Sequence, residues 1–310
     1  MRILQHWQAI TIVTVAVIFA SFPYLKSSFS QTEILQTGWI QEADTFQKNV
    51  IATTAPAPSL TPQPTTTPLK VLVAGDLMFD RHIRQHAVQN GNDFIFQPIA
   101  DFLKSADYVV VNLEGPITSF NSKSVGSVVG SPNNYLFTFP DTLPETLVNH
   151  HITLVSLGNN HILNFGQAGL EQTLKHLNTH QISYFGHVSE TDQLVPISIT
   201  RTEKNISIGW INYNQFSAQP RQSVITEIAR LRSTVDYVVV YTHWDNEYQP
   251  KPAAPTVAHA RAMIDAGADL VIGSHPHVIQ VSEEYQGKKI YYSLGNFIFD
   301  QYFEPAVKKG

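Results

Sequence analysis

The sequence predicts an α/β body of two packed sheets with flanking helices, on three observations. Five short runs, 71–74, 108–111, 152–155, 237–241 and 270–272, are β-branched and apolar on both faces. That is the pattern of strands buried on both sides. Segments 167–179, 222–232 and 256–266 carry amphipathic helical spacing, and Gly267 follows the last as a C-cap. Segments 195–200, 206–212 and 288–294 lie close enough together for hairpins and a second sheet. No internal repeat interrupts the series.

The body starts at Leu69, and two segments of different character precede it. Residues 1–26 read as a transmembrane anchor: from Ile3 to Leu25 there is no Asp, Glu, Lys or Arg, and about 20 apolar residues suffice to cross a bilayer. Arg2 before the run and Lys26 after it give only a slight inward bias for the amino terminus. A cleaved signal peptide and a buried core helix are the rival readings. Ala20-Ser21-Phe22-Pro23 offers no small-x-small cleavage site, which favours the anchor. Residues 27–68 read as a tether, ending in the uncharged stretch ATTAPAPSLTPQPTTTP at 52–68. Such a Pro/Thr segment buries no core and extends by about 3.1 Å per residue, a reach of roughly 50 Å. The expected location is therefore the cell membrane, with a single span and the body outside the cytoplasm.

Composition narrows the chemistry. The 310 residues are 43% hydrophobic and 15% charged, enough for one large core or two small ones. Net charge is −5 with no block of Lys or Arg, so nucleic acid is not an expected partner. The absence of cysteine removes disulfides, thiolate zinc ligands and thiol nucleophiles together.

Each apolar run is followed by residues that metals favour: Asp76, Glu114, Asn160 with His161, His243, and His275 with His277. Ligands in open α/β sheets sit outside the carboxyl ends of the strands, so five such ends point to one site. Taken singly, Asp76 reads as a turn or cap residue and Glu114 as a solvated loop acid. Gly75 beside Asp76 would let the backbone approach a ligand. Asn159-Asn160-His161 sets an amide beside an imidazole in a tight loop, although paired asparagines also form turns. His275-Pro276-His277 places two imidazoles two apart, which on extended backbone puts both on one side. That pair points to metal ligation.

In this order, Gly75-Asp76-Leu77-Met78, Asn112-Leu113-Glu114-Gly115-Pro116, Asn159-Asn160-His161, His243-Trp244 with Glu247-Tyr248, Gly273-Ser274-His275-Pro276-His277-Val278 and Tyr292-Ser293-Leu294-Gly295-Asn296-Phe297-Ile298-Phe299-Asp300-Gln301 resemble the signature blocks of the CapA/PgsA capsule-synthesis proteins. The resemblance covers about residues 69–303. It implies a role in poly-γ-glutamate synthesis and export at the bacterial surface, a membrane anchor, and an α/β/β/α sandwich similar to calcineurin-like metallophosphoesterases. It also implies other capsule or polyglutamate synthesis proteins as partners, with an anionic polymer or a phosphorylated small molecule as ligand. By the same similarity Asp76, Glu114, Asn160, His243, His275 and His277 hold two divalent ions, and His161 protonates a leaving oxygen. Mixed O/N ligation suits Mn, Fe or Zn. Asn112, Asn159, Glu247 and Asn296 are implied as substrate-binding.

The chain departs from the pattern at four places. The phosphoesterase blocks open with Asp-x-His, whereas Asp76 is followed by Leu77 and Met78, so one ligand is missing. Asp245 stands where the capsule family usually has Gly, adding a charge near the site, and Asn164 where it often has Asp, removing one. Family members usually continue through further strands, so Gly310 is expected to be a truncated end. Three function classes follow: a membrane-tethered component of surface-polymer production, a secreted metallophosphoesterase, and a non-catalytic binding module.

Overall fold

The computed structural model describes residues 68–186, 197–203, 205–301 and 305–307. Strand β1 (Val71–Leu77) leads to helices α1 (Arg81–Asn90), α2 (Asp93–Phe96) and α3 (Ala100–Lys104). Then come β2 (Tyr108–Leu113), α4 (Leu143–Asn149), β3 (Ile152–Ser156), α5 (Gly166–Thr179) and β4 (Ser183–Phe185). The second half runs β5 (Ile197–Arg201), β6 (Ser207–Asn214), α6 (Arg221–Arg232), β7 (Tyr237–His243), α7 (Ala254–Asp265) and β8 (Leu270–Ser274). It closes with β9 (Ser282–Tyr285), β10 (Lys288–Tyr291) and β11 (Asn296–Ile298). The expected anchor and tether, residues 1–67, lie outside the described residues. Among those described, no helix is long and apolar enough to cross a membrane.

Two sheets form, as expected. One runs β11-β1-β2-β3-β4 and is parallel throughout. The other runs β5-β6-β7-β8-β10-β9, parallel in the middle and antiparallel at both edges. The β5/β6 edge is the hairpin that the close spacing of 195–200 and 206–212 predicts, whereas at the other edge the expected strand at 288–294 pairs with β9, which the sequence reading did not include. Val71, Val73, Val110 and Leu154 of the first sheet share one buried cluster with Trp210, Val239, Tyr241 and Ile272 of the second. The opposite face of the second sheet, Ile211, Val238, Val240 and Val271, packs on Val224, Ile228 and Leu231 of α6 and on Ala260, Met263 and Ile264 of α7. Helices α4 and α5 contact β3 and β4. Central strands are thus covered on both faces, which is why they read as unbroken apolar runs.

The elements absent from the sequence reading are the short or polar ones. β4 and β11 have three residues each, too few to show a period. Helix α1 buries only Ile83 and Ala87, so its apolar stripe is too thin to stand out.

Burial also gives the fold a pH dependence away from the polar strand ends. His259 on α7 is buried edge-on against Tyr213, with rings 4.6 Å apart. Desolvation, with Arg221 nearby, lowers its pKa from 6.5 to about 4. A depressed imidazole favours folding above 6.5, and that contribution drains away as pH falls toward about 4. The full shift corresponds to at most about 3 kcal/mol. Urea melts of wild type and His259→Phe should therefore diverge between these limits, the variant losing less stability. Parallel curves would remove His259 from the acid response.

Candidate metal centre

The centre is built on two rows of polar residues at the carboxyl ends of the parallel strands. In the first sheet Asp76 is in register with Asn112 and Asn296, and Asn112 with Ser156. In the second sheet Asn214, His243 and Ser274 are in register. The rows meet: Asn112 Nδ2 is 3.3 Å from His243 Nδ1, and Asn212 Nδ2 donates to Ser156 Oγ at 3.2 Å. Asp76 and His243 are thus still inside strands rather than beyond them. Gly75 serves a different end from the one its sequence suggests. A Cβ there would collide with Gly295 O, so the glycine admits neighbouring backbone, not a ligand. Asp76 N then bonds Gly295 O at 3.1 Å, which fixes the carboxylate in place.

Around these rows the acids and imidazoles converge. Three groups each bring ligand atoms within 4.8 Å of one another: Glu114 with His243 and His275, Asp76 with Glu114 and His277, and Glu247 with His275 and His277. Glu114 belongs to the first two, so it is placed to bridge them. Asn160 stands at the exposed rim, its Oδ1 2.9 Å from His243 Nε2. Asp76 accepts from Asn112 Nδ2 at 2.8 Å and from His275 N at 3.1 Å. His277 Nδ1 is 2.9 Å from Asn296 Oδ1 and 3.3 Å from Asp76 Oδ2.

Several surroundings differ from the sequence expectation. Glu114 is fully buried rather than a solvated loop acid. The His275-Pro276-His277 segment is not extended: His275 has φ 95° and His277 φ 58°. Both imidazoles still reach the centre, but through backbone in a region that side chains disfavour. Such strain persists only where the surroundings enforce it, often at functional sites. Asp245 likewise has φ 70°, a conformation that glycine adopts freely and that Asp tolerates better than most residues. Its carboxylate accepts from Asn246 N at 3.1 Å and Ala253 N at 2.8 Å, closing the loop that leads into α7. The added charge is therefore tied to backbone donors. Asn164 Oδ1 meets His161 Nδ1 at 3.1 Å and accepts from Phe137 N at 2.8 Å.

The electrostatics suit a cation. Both Glu114 oxygens and His275 Nδ1 are buried without a hydrogen-bond partner, whereas buried polar atoms are nearly always paired. Burial first, then the charges of Asp76 and Glu247, raise the Glu114 pKa well above 4.5. Burial lowers the pKa of His243 well below 6.5, and that of His275 to about 3. An acid with free oxygens beside neutral imidazoles is a donor set that a divalent ion satisfies. His161 stands next to this set, with Nε2 4.0 Å from Glu114 Oε1 and its ring 4.4 Å from that of Phe137. Burial lowers its pKa to about 4.

Of the residues implied as substrate-binding, three are occupied within the framework. Asn112 bonds Asp76 and accepts from Asn159 Nδ2 at 3.0 Å. Asn159 Oδ1 accepts from the backbone of His161 and Ile162, while Asn296 Nδ2 donates to Gln301 Oε1 at 3.0 Å. These amides orient the acids and imidazoles of the centre. Glu247 is half-buried and faces His275 and His277. The sequence reading missed Ser274 and Arg81. Ser274 Oγ lies 3.0 Å from His243 Nδ1, and its place beside His275 at a strand end was the available signal. Arg81, five residues after Asp76, is bracketed by the rings of Phe137 and Phe299 at 5.1 and 5.3 Å and pairs with Asp300.

A family model described as bacterial capsule synthesis protein PGA_cap matches residues 70–301. The chain is 29% identical over 252 residues to the capsule biosynthesis protein CapA of Bacillus anthracis, covering 75% of this chain and 60% of that protein. It is 32% identical over 250 residues to the PGA biosynthesis protein CapA of Bacillus subtilis strain 168, covering 75% and 64%. A probable polyglutamine synthesis accessory protein of Mycobacterium tuberculosis matches at 25% over 224 residues, covering 63% and 56%. The chain thus spans somewhat under two thirds of the length of these relatives. A crystal structure of TT1561 of Thermus thermophilus aligns with TM-score 0.41 and 12% identity over 72% of this chain and 87% of that one, a likeness too loose to inform function. Because the family model spans nearly the whole two-sheet body, including every strand that ends at the centre, the chain belongs to the bacterial capsule synthesis protein family PGA_cap.

Proposed function

We propose that this chain is a membrane-tethered accessory component of poly-γ-glutamate-type surface polymer synthesis or export, whose extracytoplasmic body carries a metal-dependent hydrolytic site. The observation that carries the hydrolytic part is Glu114, whose buried oxygens lack partners while two histidine-bearing groups converge on it. In this reading Asp76, Glu114, Asn160, His243, His275 and His277 hold two divalent ions, Mn, Fe or Zn. Bound there, the ions supply Lewis acidity and a nucleophile at neutral pH. The chain's own part is to orient and to move protons. Asn112 and Ser274 fix the His243 ring, Asn296 fixes His277, and Asn164 holds His161 Nδ1 so that Nε2 faces Glu114. Asn164 Oδ1 takes the Nδ1 proton and burial keeps the free ring neutral, so Nε2 takes up a proton from water when the negative charge of a bound polymer segment or phosphorylated small molecule offsets that burial. His161 then passes this proton to the leaving oxygen.

Elemental analysis of the purified full-length chain tests the site: bound Mn, Fe or Zn is expected, together with hydrolysis of a generic phosphodiester or of polyglutamate. Protein without bound metal, inactive after Mn²⁺ is added, would leave only a binding module. Topology has its own test. Protease added to intact spheroplasts should digest the body, because residues 1–26 and the Pro/Thr stretch read as anchor and external stalk. Full protection would place the body inside.

A further inference from the structure

Glu247 has a place in the geometry that the substrate-binding assignment does not explain. Its carboxylate lies within 4.8 Å of ligand atoms of His275 and His277, and its charge is felt at Glu114. Asp76, Glu114 and Glu247 therefore put three acidic side chains at one sheet edge. The guanidinium of Arg81 is paired with Asp300. A third acid facing this edge adds negative charge that disfavours an anionic substrate. With a cation between them, the same carboxylate becomes a donor.

The loop that carries Glu247 is built to aim it. Asp245 and Tyr248, on either side, have φ 70° and 62°. Backbone strain of this kind is sustained where surrounding contacts enforce it, and here they are visible. Asp245 is fixed by Ala253 N, and Tyr248 N donates to Pro276 O at 2.8 Å, joining this loop to the segment that bears His275 and His277. The Tyr248 hydroxyl bonds Glu247 and accepts from Gln301 Nε2 at 3.2 Å. His275 Nδ1, buried and without a partner, stands in the same group.

We propose that Glu247 is a metal ligand, completing a coordination group with His275 and His277. This rests on the metal-site reading above and adds a residue to it. Glu247 is half-buried on a loop, whereas Asp76 and Glu114 are buried at the ends of strands. The ion it helps to hold is therefore the more exchangeable of the two.

The test uses full-length protein in detergent, stripped with EDTA and titrated with Mn²⁺ by calorimetry, with Co²⁺ absorption as a second readout. Glu247→Gln is expected to retain one tight ion, to weaken the other at least as much as the roughly 10–100-fold loss typical of an outer partner, and to alter the visible Co²⁺ bands. Glu247→Asp, which keeps a carboxylate, should fall between wild type and Glu247→Gln in affinity. Unchanged affinity and unchanged Co²⁺ bands in both variants, with wild type binding metal, would overturn the role of Glu247 and leave the metal site standing. Wild type that binds neither ion would overturn both. Should Glu247→Gln fail to fold, Glu247→Asp decides alone: weakened Mn²⁺ binding supports the assignment and wild-type binding removes it.

Discussion

Glu114→Gln is expected to abolish the metal-induced rise in melting temperature while making the metal-free protein more stable than wild type. The two effects have one cause. Glu114 is fully buried, and neither oxygen has a hydrogen-bond partner. Without metal its raised pKa is a penalty: the carboxyl ordinarily ionises near 4.5. Stability associated with the neutral form is complete below that pH and is lost as pH rises above it, through the elevated folded-state value. An amide cannot ionise, so the variant escapes the cost of burying a charge, and in EDTA at neutral pH it melts above wild type. With metal the sign reverses, because Glu114 is shared by two ligand groups and its loss disables both. Thermal melts in EDTA and in excess Mn²⁺ give both numbers. An equal Mn²⁺-induced shift in variant and wild type would show that Glu114 holds no ion.

His161→Ala should lower turnover by roughly 10²–10⁴-fold, the usual contribution of a positioned proton donor, while leaving metal content unchanged. The separation is expected because His161 belongs to none of the three ligand groups, although its Nε2 is 4.0 Å from Glu114 Oε1. Its orientation comes from Asn164 and Phe137 rather than from the acids. Single-turnover rates and elemental analysis on the same preparation check it. Wild-type turnover from a metal-loaded His161→Ala protein would remove the proton-transfer role, and polymer output that survives the change in cells would favour a binding function for the site.

The fold was legible in the sequence wherever one residue pattern reports one environment. The runs at 71–74, 108–111, 152–155, 237–241 and 270–272 each became a central strand because a strand covered on both faces must be apolar at every position. The amphipathic segments became α5, α6 and α7 for the matching reason that each has a single covered face. Edge elements such as β4, β9 and β11 left little trace, since three or four residues under mixed exposure carry no period.

The sequence by itself determined which residues could form a site: five strand ends bearing acids, amides and imidazoles, in an order that parallel topology carries to one edge of a sheet. Only the tertiary structure decided what each of them does there. Residues 76, 112, 243 and 274 are far apart in the chain, and the register of two separate sheets sets Asn112 and Ser274 against His243. Burial, which depends on the packing of both sheets, turned Glu114 from a plausible loop acid into an unpartnered buried carboxylate. The left-handed backbone at His275, His277, Asp245 and Tyr248 was equally hidden, because such conformations in residues other than glycine are imposed by long-range contacts rather than by local preference.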